Sequence, residues 1–241
     1  MKNVLFVVAT LSLLTVFSAC SSTTRSATTT DYRSNFLEEQ DKQITSSLFD
    51  SDDRTISEEN IQRLLDGEIE LSDSLRVAVY PFASSSTNRY GYYNDEEFLK
   101  TQQLFIDTMV HELNRSPRIQ KVILVPPIMI DKSPNITELR EAAVRLQADV
   151  LLIYAINSDT YYKFKAFQKN ESKAYATCQS MLMDCRTGVI PHSEIITKED
   201  FVQKGSEDWT NEETRKRAEN GAVIKSLVGS GEAVVQFLEE F

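Results

Sequence analysis

Residues 149–156 read DVLLIYAI, an acid followed by a run with almost no polar side chain. The run is too short for a buried helix and does not alternate, so it predicts a strand covered on both faces, at the centre of a sheet. Working upstream, NITELREAAVRLQA (135–148) places Leu139, Ala143 and Leu146 on one helical face behind a cap at Thr137. Before it, KVILVPP (121–127) is a second strand, stopped by Pro126 and Pro127. Before that, Phe98, Phe105, Met109 and Leu113 recur at near-helical intervals behind Asp95. The first strand is SLRVAVYPF (74–82), in which Leu75, Val77 and Val79 alternate with Arg76, Ala78 and Tyr80 until Pro81. TISEENIQRLLDG (55–67) precedes it as a helix capped by Ser57 and stopped by Gly67.

Downstream the pattern becomes antiparallel. TYYKFKAF, KAYATCQSMLMDC and VIPHSEIITKEDFV read as strands that turn first at QKNES (168–172) and then at RTG, where Gly188 supplies a positive φ. The C-terminus reads as helix from about Asn211 to Glu240, with a break at Gly229–Gly231. The expectation is an α/β fold in which residues 55–241 form a single three-layer domain. A mixed sheet carries helices on its faces, and an antiparallel meander fills the C-terminal half.

The chain begins Met-Lys-Asn, continues as the apolar stretch Val4–Phe17, and passes through Ser18 and Ala19 to Cys20. This is the charged, apolar and small-residue order of a secretory signal, spanning residues 1–19. Ser18-Ala19-Cys20 resembles the lipobox of bacterial lipoproteins. That resemblance implies that Cys20 is acylated and becomes the mature N-terminus, with the membrane as its partner through acyl chains. Ser21 in place of Asp is what the proteobacterial sorting pattern asks of an outer-membrane protein, so the expected location is the cell envelope, at the outer membrane and facing the periplasm. Residues 20–54 then read as tether. SSTTRSATTT is small and polar, whereas Leu37, Ile44 and Leu48 share a helical stripe able to dock. At about 3.3 Å per residue the roughly 34 residues from Ser21 to Arg54 would reach about 110 Å.

Charge and chemistry exclude more than they assign. The net charge is −10, and −11 once Lys2 leaves with the signal, so nucleic acid is not an expected partner. Cys178 and Cys185, seven apart, point to opposite faces of a straight strand and read as free buried thiols, with a disulfide open to them only if a bulge or turn intervenes. His111 lies in VHELNR, where Arg115 occupies the position of a second zinc ligand, and His192 is isolated. Ser84–Ser86 lack the glycine context of a nucleophile elbow. Glu96 with Glu97 and Glu239 with Glu240 are adjacent and do not face one another. No cofactor, metal or catalytic residue is expected, and the chain does not read as an enzyme.

NRYGYY (88–93) sets Arg89, Tyr90, Tyr92 and Tyr93 around one glycine between a strand and a helix. These are residue types enriched where proteins meet. Trp209, in EDWTNEE, is a second contact candidate, or else a staple at the start of the last helix. The order of elements is similar to that of envelope lipoproteins of the CsgG and LpoB type. The similarity rests on Ala78–Phe82 (AVYPF), on Arg145–Asp149 at a helix-to-strand junction where Gln147 replaces the family's glycine, and on Asp184–Gly188 (DCRTG). It spans about residues 75–240. The LpoB branch implies a tethered adaptor that contacts and regulates another envelope protein, a peptidoglycan synthase in that branch. The CsgG branch implies a homo-oligomeric secretion channel in the outer membrane, for which TYYKFKAFQKNESKAYATC is the one candidate hairpin. The tether suits the first.

Overall fold

The computed structural model describes residues 48, 57–66, 69–82, 95–131, 134–163, 170–206 and 208–241. Residues 1–47, with the signal, Cys20 and most of the tether, lie outside the described residues. So does 83–94, with Arg89, Tyr90, Tyr92 and Tyr93. Among the described residues, β1 is Leu75–Phe82, β2 Ile119–Leu124, β3 Val150–Lys163, β4 Glu171–Asp184 and β5 His192–Gln203. The helices are α1 (Glu58–Leu65), α2 (Asp95–Leu113), α3 (Ile136–Arg145) and α4 (Asn211–Glu240).

The strands form one mixed sheet in the order β2-β1-β3-β4-β5, with β1 parallel to both its neighbours and β3, β4 and β5 antiparallel in turn. DVLLIYAI is its central strand, and Val150–Ala155 are buried without interruption. The connection from β1 to β2 steps one way across the sheet and that from β2 to β3 steps back. Crossovers of the same hand must then put α2 and α3 on opposite faces. They do: Met109 and Leu113 of α2 pack with Leu75, Val77, Val79 and Leu152, whereas Leu139, Ala142 and Ala143 of α3 pack with Ala78, Leu151 and Ile153. The helix α4 joins α2 on the first face through Ala218, Ala222, Leu227, Val234 and Leu238. The result is an α/β domain of three layers.

Four local expectations are corrected. The helix α4 runs unbroken through Gly229–Gly231. A Cβ on Gly231 would fall inside the side chain of Glu112 on α2, with Glu112 Cγ at 3.1 Å, so the glycine serves helix contact there and packing outweighs its low propensity. The cap of α3 is Asn135, not Thr137. Asn135 Oδ1 accepts from Glu138 N at 2.9 Å and Glu138 Oε2 accepts from Asn135 N at 3.2 Å, a reciprocal pair that Thr137 inside the helix cannot make. DVLLIYAI and TYY belong to one continuous strand, because β4 supplies partners for all of Val150–Lys163. Pro81 lies within β1, paired with Tyr154. The ladder with β2 has ended at Val79 and Leu124, so β1 has one neighbour there and a missing N–H is tolerated.

Ser57 caps α1, its Oγ accepting from Asn60 N at 3.3 Å. Gly188 turns with φ 77°, and Cys178 and Cys185 are free, buried and on opposite faces. Gln147 has φ 59°. A left-handed conformation is strained for a residue with a Cβ, which is the physical reason a glycine suits that position.

Candidate interaction site

Three segments converge on the end of the sheet where β3 finishes at Lys163, well beyond the Phe82–Ala155 pair that closes β1. The ladder between β4 and β5 closes there with Glu171 opposite Gln203, and Lys204 N donates to Asn170 O at 2.8 Å. The start of α4 is fixed to the same end, since Asn170 Nδ2 donates to Asn211 Oδ1 at 3.2 Å. The first turn of α2 lies against α4 through Lys216 Nζ and Glu97 Oε2, 3.3 Å apart. Residues 83–94 leave the carboxyl end of β1 and return at Asp95. The second attachment of the aromatic segment, at the start of α2, therefore lies near the end that carries Trp209.

Trp209 does not staple the helix. Its residue is 89% exposed. Polar groups hold the backbone around it. The buried Asp208 carboxylate accepts from Gly205 N at 2.7 Å, Thr214 Oγ1 at 3.2 Å and an Arg217 guanidinium nitrogen at 2.7 Å. Thr210 caps α4 by accepting from Glu213 N, and Glu213 Oε2 in turn accepts from Trp209 N at 2.8 Å. A hydrophobic staple needs the side chain before the cap to pack against the first turns of the helix, and an indole this exposed is not packed there. The indole is held out into solvent on a fixed backbone, the form of a preorganised contact residue.

A second exposed surface was not legible from the sequence. Among the described residues, no helix covers the distal halves of β3, β4 and β5 on the face that bears α3. Tyr161 and Tyr175 meet edge to face there, with ring centroids 5.8 Å apart, and Lys173 Nζ lies 4.8 Å from the Tyr175 ring. Lys173 also pairs with Glu199 at 2.6 Å. This contact lowers the Glu199 carboxyl and raises the Lys173 ammonium from their ordinary ranges. Ile195 and Phe201 of β5 are 70% and 54% exposed on the same face. The signal was available in principle: these are the odd-numbered positions of each strand, but only the register tells which parity the helices cover.

The opposite face of the β3–β4 hairpin lies under α4. Ala174, Ala176 and Cys178 are buried, and Ser230 Oγ donates to Ser180 Oγ at 2.9 Å. Exposing that face to lipid would require the hairpin to leave α4. Burial pushes the Cys178 and Cys185 thiols up to about 12, so neither is a nucleophile at neutral pH. Deep burial likewise raises the Tyr154 phenol.

The amino end of the sheet has a cleft of about 460 Å³ between Glu70, Leu75, Asp149 and Asp184. Its two aspartates are already engaged. Asp149 accepts from Arg76 N at 2.8 Å and pairs with Arg76 Nε at 3.6 Å. Asp184 accepts from Arg186 N, Thr187 N and Thr187 Oγ1, so it caps the DCRTG turn as its position before the turn implies. Among the described residues no group of three His, Cys, Asp or Glu is placed to hold a metal ion.

No known family model and no curated protein sequence matches the chain. Solved structures that align with it include the LpoB C-terminal domain from Salmonella enterica (13% identity, 58% of this chain and 92% of that one, TM-score 0.28). They also include rare lipoprotein B from Shewanella oneidensis (9%, 68% and 94%, TM-score 0.30) and a hypothetical protein from Chlamydia trachomatis (16%, 67% and 98%, TM-score 0.39). Identities this low leave the functional reading to the chain's own residues.

Proposed function

We propose that this chain is a lipid-anchored adaptor of the bacterial cell envelope, acylated at Cys20, which binds another envelope protein through the carboxyl end of its sheet and performs no catalysis. The anchor and the tether come from the sequence, as does the outer-membrane, periplasm-facing location. The observation that carries the binding role is Trp209, a large aromatic side chain presented to water by a backbone that Asp208, Thr210 and Glu213 hold in place. Tryptophan is among the residue types enriched at binding hot spots, and a fixed backbone lowers the ordering cost of contact. Residues 83–94, with Arg89, Tyr90, Tyr92 and Tyr93, join the start of α2 near the same end, and in this reading they extend the contact surface. The partner class that the LpoB resemblance supports is a peptidoglycan synthase.

The test is photo-crosslinking in cells from probe residues placed at Tyr92 and at Trp209, with the captured species identified by mass spectrometry. Capture of one different envelope protein from both positions, lost when Cys20 is replaced by Ala, supports the adaptor. A ladder of the chain's own copies would replace it with a homo-oligomeric role, and no adduct from either position would remove the surface.

A further inference from the structure

The β5 edge of the sheet carries a set of contacts that the proposed function does not use. Among the described residues β5 has β4 on one side and no strand on the other. Lys204 N donates to Asn170 O at 2.8 Å and continues the ladder between the two strands in its register. Even-numbered residues of β5 therefore bond to β4. The N–H and C=O groups of Ser193, Ile195, Thr197, Glu199, Phe201 and Gln203 point outward, since successive residues of an antiparallel strand alternate. Such a row is a template for another strand.

Two of these carbonyls are capped from the last helix. An Arg217 guanidinium nitrogen donates to Gln203 O at 2.9 Å, and Lys225 Nζ donates to Glu199 O at 3.3 Å. The spacing makes this possible. Eight residues of α4 rise about 12 Å, and four residues of β5 span about 14 Å, so the two basic side chains meet two carbonyls on one edge. Both are held in place, Arg217 by the Asp208 carboxylate at 2.7 Å and Lys225 by Asp200 Oδ1 at 2.7 Å. Gly221 lies midway between them, and a Cβ there would collide with the Asp200 carboxylate, so helix and edge approach closely.

We propose that Arg217 and Lys225 guard this edge against the β5 of a second copy. The sequence of β5 suits self-pairing. An antiparallel pair centred on Glu199 sets Ile196 opposite Val202, Thr197 opposite Phe201 and Lys198 opposite Asp200. Each Glu199 carboxylate at the centre is already held by its own Lys173 at 2.6 Å. To form that pair, the outward carbonyls of Glu199 and Gln203 must first give up their cationic caps. The guards of the two copies would also be brought toward one another as like charges. The edge is complementary to itself, and the helix above it keeps it closed. This device stands on the contacts between β5 and α4 and is independent of which protein meets Trp209.

The experiment uses the full chain in its own membrane. Glu199→Cys is the reporter, because the two copies of residue 199 would face each other with Cα atoms about 5.5 Å apart, within the reach of a disulfide. Mild oxidation should give little disulfide-linked dimer while the guards are present. With Arg217→Ala and Lys225→Ala together the yield should rise at least about tenfold, since each cap is a hydrogen bond from a charged donor that pairing must break. Lys225→Ala alone, which leaves the Asp208 contacts intact, should give part of that rise. Equal yields with and without the guards, or no dimer in either, would overturn the proposal. Adding Thr197→Pro removes an outward N–H and leaves the ladder with β4 in place, so it should abolish the dimer. A dimer that persists would come from unfolded chains and would equally overturn the guard.

Discussion

Replacing Gly231 with Ala should destabilise the domain, while the same change two residues earlier, at Gly229, should not. Both glycines lie inside α4, and Ala at either gains about 1 kcal/mol of helix propensity. The surroundings decide the sign. At Gly231 the new methyl meets Glu112 Cβ well inside van der Waals distance, with Glu112 Cγ at 3.1 Å and Met109 Sδ at 3.7 Å. A Cβ cannot swing away, because it is fixed to the backbone of α2, so the two helices must part or twist. Over-packing of this kind costs roughly 1–3 kcal/mol or more, and forced helix displacement lies at the upper end. Net of the propensity gain, the loss is about 2 kcal/mol. At Gly229 the methyl meets Ile196 Cγ2 and Lys198 Cε, both at 3.2 Å. The lysine carbon moves freely and the isoleucine need give only a few tenths of an ångström, so the net change stays within about 1 kcal/mol of zero. For a domain of this size 1 kcal/mol moves Tm by about 2–4 °C. Thermal and urea unfolding should show Gly231→Ala lower by ~6 °C and Gly229→Ala within about 3 °C of the parent. If Gly231→Ala were as stable as the parent, or Gly229→Ala the worse of the two, close helix contact would not be the reason for these glycines.

Further outcomes are expected elsewhere in the domain. Gln147→Gly should raise Tm by about 2–4 °C, because it relieves a left-handed residue worth ~1–2 kcal/mol, less the unfolded-chain entropy of glycine; a fall in Tm would show that its contact with Arg76, at 3.2 Å, matters more. Cys178 and Cys185 should not react with a thiol reagent at pH 8 until denaturant is added. Their folded thiols sit at about 12 against 9.0 when free. The stability this confers is complete below pH 9 and is lost as pH rises toward 12, by about 1.4 kcal/mol per pH unit per thiol. Denaturant midpoints measured from pH 8 to 11 should fall accordingly, and Cys178→Ala should flatten the decline. Trp209→Ala should leave the unfolding midpoint within about 0.5 kcal/mol of the parent, since the indole is 89% exposed, while reducing partner capture at least tenfold; loss of stability without loss of capture would make the residue structural. Cys20→Ala should abolish labelling by an alkynyl fatty acid and leave the signal uncleaved.

The elements along the chain were readable because each carries a local pattern. The unbroken apolar run at Val150–Ala155 required cover on both faces, Asp184 before RTG required a cap, and the odd spacing of Cys178 and Cys185 kept them apart on any straight strand. What failed to read was decided by partners distant in sequence. Gly229–Gly231 look like a helix break until Glu112 on α2 is placed beside them. Pro81 looks like a strand end until β2 is seen to stop first. The candidate site divides in the same way: the sequence left Trp209 as either a contact residue or a staple, and that its ring faces water became visible only with Gly205, Thr214 and Arg217 meeting around the Asp208 carboxylate.

The sequence by itself determined the order of strands and helices and the acidic balance, because periodicity, turn chemistry and charge act between near neighbours. Only the tertiary structure decided which part of the sheet the described helices cover and which aromatic side chains face water. Those depend on register and crossover direction, and burial is a relation between segments that no one segment contains.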